Sequence, residues 1–121
     1  MWEYSQSSGE LVDPSGTVTG IGYSGNGPDL NRPASQDIVG HGPCPEGLYT
    51  MGPWFDDPEK GPIVTHLAPD PDNEMFGRSG FMIHGDNPAM NHTASDGCII
   101  LAHDIRVALS LSADDELNVI A

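Results

Sequence analysis

The sequence predicts a mainly β fold with one short helix near the C-terminus, and three observations carry that expectation. Fifteen glycines and 11 prolines make up more than a fifth of the 121 residues, a density of chain-breaking residues that excludes a helical bundle. The apolar residues fall in short runs bounded by turn residues, the pattern of strands. Helical spacing recurs at one place only, after Asp104. With 37% apolar residues, two Trp, three Tyr and three Phe, the chain can build one modest core. No internal repeat or Ser/Gly linker divides it, so residues 1–121 are expected to form a single unit.

Taken in order, Trp2 to Val12 alternates and turns over at Ser8-Gly9. A second turn at Asp13-Pro14-Ser15-Gly16 leads into Thr17 to Tyr23, giving two or three short strands. Ser24 to His41 is rich in Gly, Asn, Pro and Asp, offers little to bury, and is expected as a long loop. Gly47 to Gly52, Ile63 to Leu67 and Gly80 to His84 are each bounded strand candidates, separated by acidic loops at Asp56 to Gly61 and Pro69 to Gly77. Asp104 is placed to cap a helix through Ile105, Val107, Ala108, Leu109 and Leu111, and Glu116 to Ala121 follows as a final strand.

The charge balance limits the partners. Eighteen acidic residues against four basic ones give a formal charge of −14. The basic residues, Arg32, Lys60, Arg78 and Arg106, are scattered, whereas phosphate backbones and anionic lipid surfaces require clusters of them. Neither nucleic acid nor membrane insertion is expected, since no apolar run approaches the roughly 20 residues of a spanning helix. Met1-Trp2-Glu3-Tyr4-Ser5 lacks the basic and apolar regions of a signal peptide, so synthesis in the cytoplasm is expected. There Cys44 and Cys98 stay thiols.

Chemistry concentrates between Phe81 and Leu101. His84 ends an apolar strand, a polar loop follows, and Ser95-Asp96-Gly97-Cys98 runs into a second apolar stretch. A cysteine nucleophile needs a base, a group to orient that base, and N–H donors for the oxyanion. His84, Gly85 and the Gly97 and Cys98 amides can supply these. On spacing alone, a core cysteine beside an incidental histidine is the plainer interpretation.

The wording around the two residues changes that balance. His84-Gly85 followed by Ser95-Asp96-Gly97-Cys98-Ile99 resembles the L,D-transpeptidase (YkuD-type) motif, His-Gly and then Ser/Thr-x-Gly-Cys with an aliphatic residue. Tyr23-Ser24-Gly25, Gly42-Pro43-Cys44-Pro45-Glu46-Gly47-Leu48-Tyr49 and Arg78-Ser79-Gly80-Phe81 extend the likeness over nearly the whole chain. Together they are similar to the short L,D-transpeptidase-like effectors delivered by bacterial type VI secretion. The resemblance implies a compact β-sandwich or barrel and a cysteine enzyme acting on peptidoglycan tetrapeptide stems, as L,D-carboxypeptidase or by D-amino-acid exchange. It implies action in the periplasm of a target cell and a cognate immunity protein; no cofactor is expected. By the same resemblance, Gly85 orients His84 through a main-chain carbonyl.

Two positions depart from the common pattern. Many relatives carry His two residues before the cysteine and Arg or Asn two residues after it, where this chain has Asp96 and Ile100. Arg78 becomes the candidate for a substrate carboxylate, with Ser95, Asp96 and Trp54 as further substrate-binding candidates. Competing readings are an acidic binding or inhibitor module with Cys98 structural, a papain-like or amidase peptidase, a metal site drawn from His84, Asp86, His92, Cys98 and His103, and a Cys44–Cys98 disulfide. The last three are disfavoured. Only His103 follows Cys98, no metal-ligand spacing occurs, and a disulfide would extinguish the thiol.

Overall fold

The computed structural model describes residues 1–121. The chain forms a nearly closed, barrel-like sheet with one helix. In chain order the strands are β1 (Trp2–Ser5), β2 (Glu10–Val12), β3 (Val18–Ile21), β4 (Tyr23–Ser24), β5 (Gly47–Met51), β6 (Phe55–Asp57), β7 (Gly61–Pro69), β8 (Met82–His84), β9 (Ile99–Ile100) and β10 (Glu116–Ile120), with helix α1 (His103–Ser110) before the last. Their spatial order is β3-β2-β1-β10-β5-β7-β8-β9-β4, and β6 pairs with β7 beside this path. The two ends of the path, β3 and β4, are separated in the chain by Gly22 alone. The sheet is thereby closed through one residue. A Cβ on Gly22 would lie 2.0 Å from the Ile100 carbonyl oxygen, so the closure admits only glycine.

Alternation sets which face is buried. β1 turns Trp2 and Tyr4 inward, β5 Tyr49 and Met51, and β10 Leu117 and Val119. Parallel pairing of β1 with β10 sets Trp2 beside Leu117 and Tyr4 beside Val119, and antiparallel pairing with β5 sets Leu117 beside Tyr49. These residues join Leu11, Cys44, Leu67, Phe81, Ile83, Ile99, Leu101 and Leu109 in one core. β8 and β9 are buried on both faces, and Ile83 and Ile99, fully buried, pair in register. Each contributes about 2 kcal/mol of burial. The segment that carries His84 and leads into Cys98 is therefore anchored in the interior.

Several expectations shift on contact with the structure. Asp56 and Asp57 are not loop but the end of β6, which returns into β7 through a three-residue turn at Pro58-Glu59-Lys60 closed by Gly61 at φ 92°. That is the hairpin chemistry of a turn followed by a glycine bulge. The Ser24 to His41 stretch contains two single 3₁₀ turns, Gly27–Asp29 and Pro33–Ser35. Asp104 does not cap α1. Ala102 takes the cap position without a side-chain bond, and Asp104 sits inside the first turn, where its charge favours the positive end of the helix dipole. The inner face of α1 carries Leu109 and the buried Arg106, while Leu111 is 80% exposed. Arg106 is accommodated because Nε donates to Leu101 O at 3.0 Å and Nη1 to the carbonyls of Pro62 and Ile63.

Candidate functional site

β8 and β9 run parallel, with Ile83 opposite Ile99 and His84 opposite Ile100. Cys98 immediately precedes β9, and its side chain accepts from the Met82 N–H at the start of β8. The loop between the strands is tied back at two points. Tyr23 Oη donates to Asp86 Oδ1 at 2.7 Å and accepts from the Ala94 N–H at 3.1 Å. β4, which pairs with β9, brings Tyr23 to that position.

His84 is 3% exposed, and its Nδ1 lies 2.8 Å from the Gly85 carbonyl oxygen. A carbonyl only accepts, so Nδ1 carries the proton and the lone pair of the neutral ring is on Nε2. Nε2 is buried and has no hydrogen-bond partner. This leaves a base whose tautomer is fixed by the main chain. A Cβ on Gly85 would lie 2.6 Å from Arg106 Nη2, so any larger residue there would displace the guanidinium.

The turn before Cys98 is held from within. Ser95 Oγ donates to the Cys98 carbonyl at 2.6 Å and accepts from the N–H groups of Gly97 and Gly25, at 3.1 and 2.9 Å. Ser95 is fully buried, so it shapes the cysteine turn and does not face a substrate. The same bonds revise the expected oxyanion donors. The Gly97 amide is engaged by Ser95, whereas the Cys98 amide donates to no acceptor in the loops and turns. Gly97 contributes through its shape: at φ 142°, a Cβ would meet Arg78 Nη2 at 2.6 Å and Phe81 at 2.8 Å. Ser24 Oγ donates to Gly97 O at 2.9 Å, and Asn26 Nδ2 to Ser95 O at 2.8 Å.

Arg78 differs most from expectation. It is 7% exposed and its guanidinium lies over the Phe81 ring, 5.1 Å from the centroid. Nη1 donates to the carbonyls of Gln36 and Pro43, at 2.6 and 2.9 Å, and Nη2 to those of Gly42 and Asp96, at 3.0 and 3.2 Å. Both terminal nitrogens are thus occupied by main chain. Arg78 ties the 36–43 segment to the residue two before Cys98, which is a positioning role and not that of a carboxylate receptor.

Two clefts meet at the exposed Asp96. One, of about 210 Å³, holds Cys98 with Val39, Gly80 and Phe81 on its walls. The other, of about 470 Å³, holds His84 with Lys60, Asp86 and Thr93. Trp54 lines a groove, but a separate one, formed with Pro53, Leu109 and Ser112. Sequence reasoning missed Lys60, although the chain's one lysine inside an Asp-Pro-Glu-Lys-Gly hairpin signal was there to be seen.

Burial raises the Cys98 thiol above the usual range. The Met82 N–H, Lys60 and Arg78 oppose that rise, and Asp96 adds to it. Burial likewise lowers His84, with Lys60 and Arg106 in the same direction and the Gly85 carbonyl opposing. Both shifts disfavour charge, so the resting pair at neutral pH is thiol and neutral imidazole. A raised thiol is more protonated at any given pH. Iodoacetamide labelling of Cys98 in the folded protein is therefore expected to rise mainly above pH ~8.5, the ordinary thiol range. Labelling already at its plateau at pH 7 is the contrary result. Cys44 does not interfere, being fully buried and pushed up to about 12 by that burial.

A family model described as the Tlde1 domain matches residues 19–119, a span containing His84, Cys98 and every residue that supports them. No curated protein and no solved structure matches the chain.

Proposed function

The chain belongs to the Tlde1 domain family of type VI secretion effectors, and from that premise we propose that it is a cysteine enzyme acting by acyl transfer on peptidoglycan stem peptides. One observation supports this most directly: the buried His84 Nε2 carries a lone pair, has no partner, and stands on the strand paired with the one that Cys98 leads into. A base so placed serves no packing purpose, because an unpartnered buried nitrogen destabilises the fold by about 1–3 kcal/mol. A role in proton transfer accounts for it.

On this reading Cys98 Sγ attacks the carbonyl of the third stem residue while His84 Nε2 takes the thiol proton. The Cys98 amide receives the oxyanion, and the proton then passes to the departing amine of D-alanine. Water completes an L,D-carboxypeptidase cycle, and an amine completes exchange or cross-linking. A type VI effector is secreted into target cells, and the substrate places its action in the periplasm. No helix is long and apolar enough to cross a membrane. A producing cell needs an immunity protein that blocks the clefts on either side of Asp96.

The direct test is mass analysis of purified disaccharide tetrapeptide after incubation with the protein. Loss of one alanine is the expected carboxypeptidase result, and replacement of that alanine by an added D-amino acid is the expected exchange result. An unchanged tetrapeptide in both conditions would favour the acidic binding module instead.

A further inference from the structure

The cleft beside His84 contains the one cation free to meet a ligand there. Arg78 and Arg106 are held by main-chain carbonyls, and Arg32 precedes a 3₁₀ turn away from this cleft. Lys60 is exposed, lines the cleft together with the buried His84, and sits on a turn of fixed shape. Asp57 Oδ1 accepts the N–H groups of Glu59 and Lys60, at 2.8 and 2.9 Å. The Lys60 charge acts on both reacting groups, lowering His84 and lowering Cys98.

Three carboxylates, Glu59, Asp86 and Asp96, line the same cleft. They repel a plain anion. They suit a group that joins an amine to a carboxylate, and the unpartnered Nε2 of His84 offers that amine a proton acceptor. We propose that this cleft is the subsite of the departing and incoming amino acid, and that Lys60 selects for its free carboxylate.

The proposal rests on the acyl-transfer reading of Cys98 and makes the two half-reactions mirror each other. As the Cys98 thioester forms, the C–N bond to the terminal amino acid breaks and the thiol proton travels through His84 Nε2 to the departing amine. In exchange, the neutral amine of an incoming amino acid attacks the thioester carbonyl. The C–S bond breaks and the amine's proton returns through His84 to Sγ. In both directions a carboxylate one carbon from the reacting nitrogen is held by Lys60.

Two measurements test this. The first compares cleavage of a tetrapeptide stem ending in a free carboxylate with the same stem ending in an amide. The wild-type protein is expected to prefer the free acid by about tenfold, the scale of one charge-assisted contact. Lys60→Ala is expected to bring that ratio close to one, and Lys60→Arg to restore it. A ratio unchanged in Lys60→Ala overturns the assignment. The second needs no peptide activity: the rate of Cys98 alkylation by iodoacetate relative to iodoacetamide is expected to fall at least about threefold in Lys60→Ala and to recover in Lys60→Arg. If neither stem is cleaved by the wild type, the acyl-transfer reading fails, and the alkylation ratio still decides whether Lys60 selects anions. An unchanged ratio there overturns its role.

Discussion

Cys98→Ala is expected to lower release of D-alanine from tetrapeptide stems by about 10³-fold or more, because no other side chain can form the acyl intermediate. The fold should survive. Cys98 is only partly buried, its side chain accepts at most the Met82 N–H, and the Ser95 bonds that shape the turn go to main-chain atoms of residues 97 and 98. The readout is therefore twofold: turnover lost, and the unfolding free energy from urea titration within about 0.5 kcal/mol of wild type. In a bacterium the same change should abolish the toxicity of a periplasmically directed form. Turnover that survives in a folded Cys98→Ala protein would remove the nucleophile assignment. His84→Ala is the companion variant, expected to slow both turnover and neutral-pH alkylation of Cys98. If His92→Ala or His103→Ala does so instead, the base has been misassigned.

Arg78→Ala carries the largest expected effect on stability. The guanidinium gathers four main-chain carbonyls from the 36–43 segment and from Asp96, and removing it leaves those oxygens without a donor. A loss of about 3–5 kcal/mol is expected, read as a lower urea midpoint at unchanged slope. Arg78→Lys should recover little of it, since one ammonium cannot reproduce a planar fork. A second readout separates this clamp from a mere core defect. With Asp96 released from Gln36, Gly42 and Pro43, Cys98 should be alkylated faster in the folded variant than in wild type. A fall of less than 1 kcal/mol with unaltered labelling would contradict the clamp.

The legible parts of the sequence were those whose signal is local. β10 and β5 alternate one residue in and one out, and helix α1 begins two residues before its expected start. His84 and Cys98 were visible as a motif, and the sheet pairs the strand that ends in His84 with the one that Cys98 leads into. What could not be read were bonds whose partner is main chain. Carbonyl acceptors of Arg78 and Arg106 leave no trace in residue type, so an arginine near the site resembles a substrate receptor until its acceptors are seen. The Gly97 amide looked free because a Ser two residues earlier does not announce that its hydroxyl turns back. Trp54 was expected at the substrate, yet groove residues identify themselves only through topology, and β5 and α1 carry its groove to another part of the surface.

β10 lies in the interior of the sheet, with β1 on one side and β5 on the other. The strand that joins the chain's beginning to its middle is therefore synthesised after every other strand of the sheet. Until Leu117 and Val119 emerge from the ribosome, Tyr4 and Tyr49 lack the strand that lies between them, and β1 lacks one of its two partners. Folding cannot proceed from the N-terminus outward as it does in modular chains, and the pairing of distant segments makes it slow. Cys98 is thus made before the strand that completes the sheet around its core. A stop codon that removes β10 should yield an unfolded, protease-sensitive chain with no partial activity.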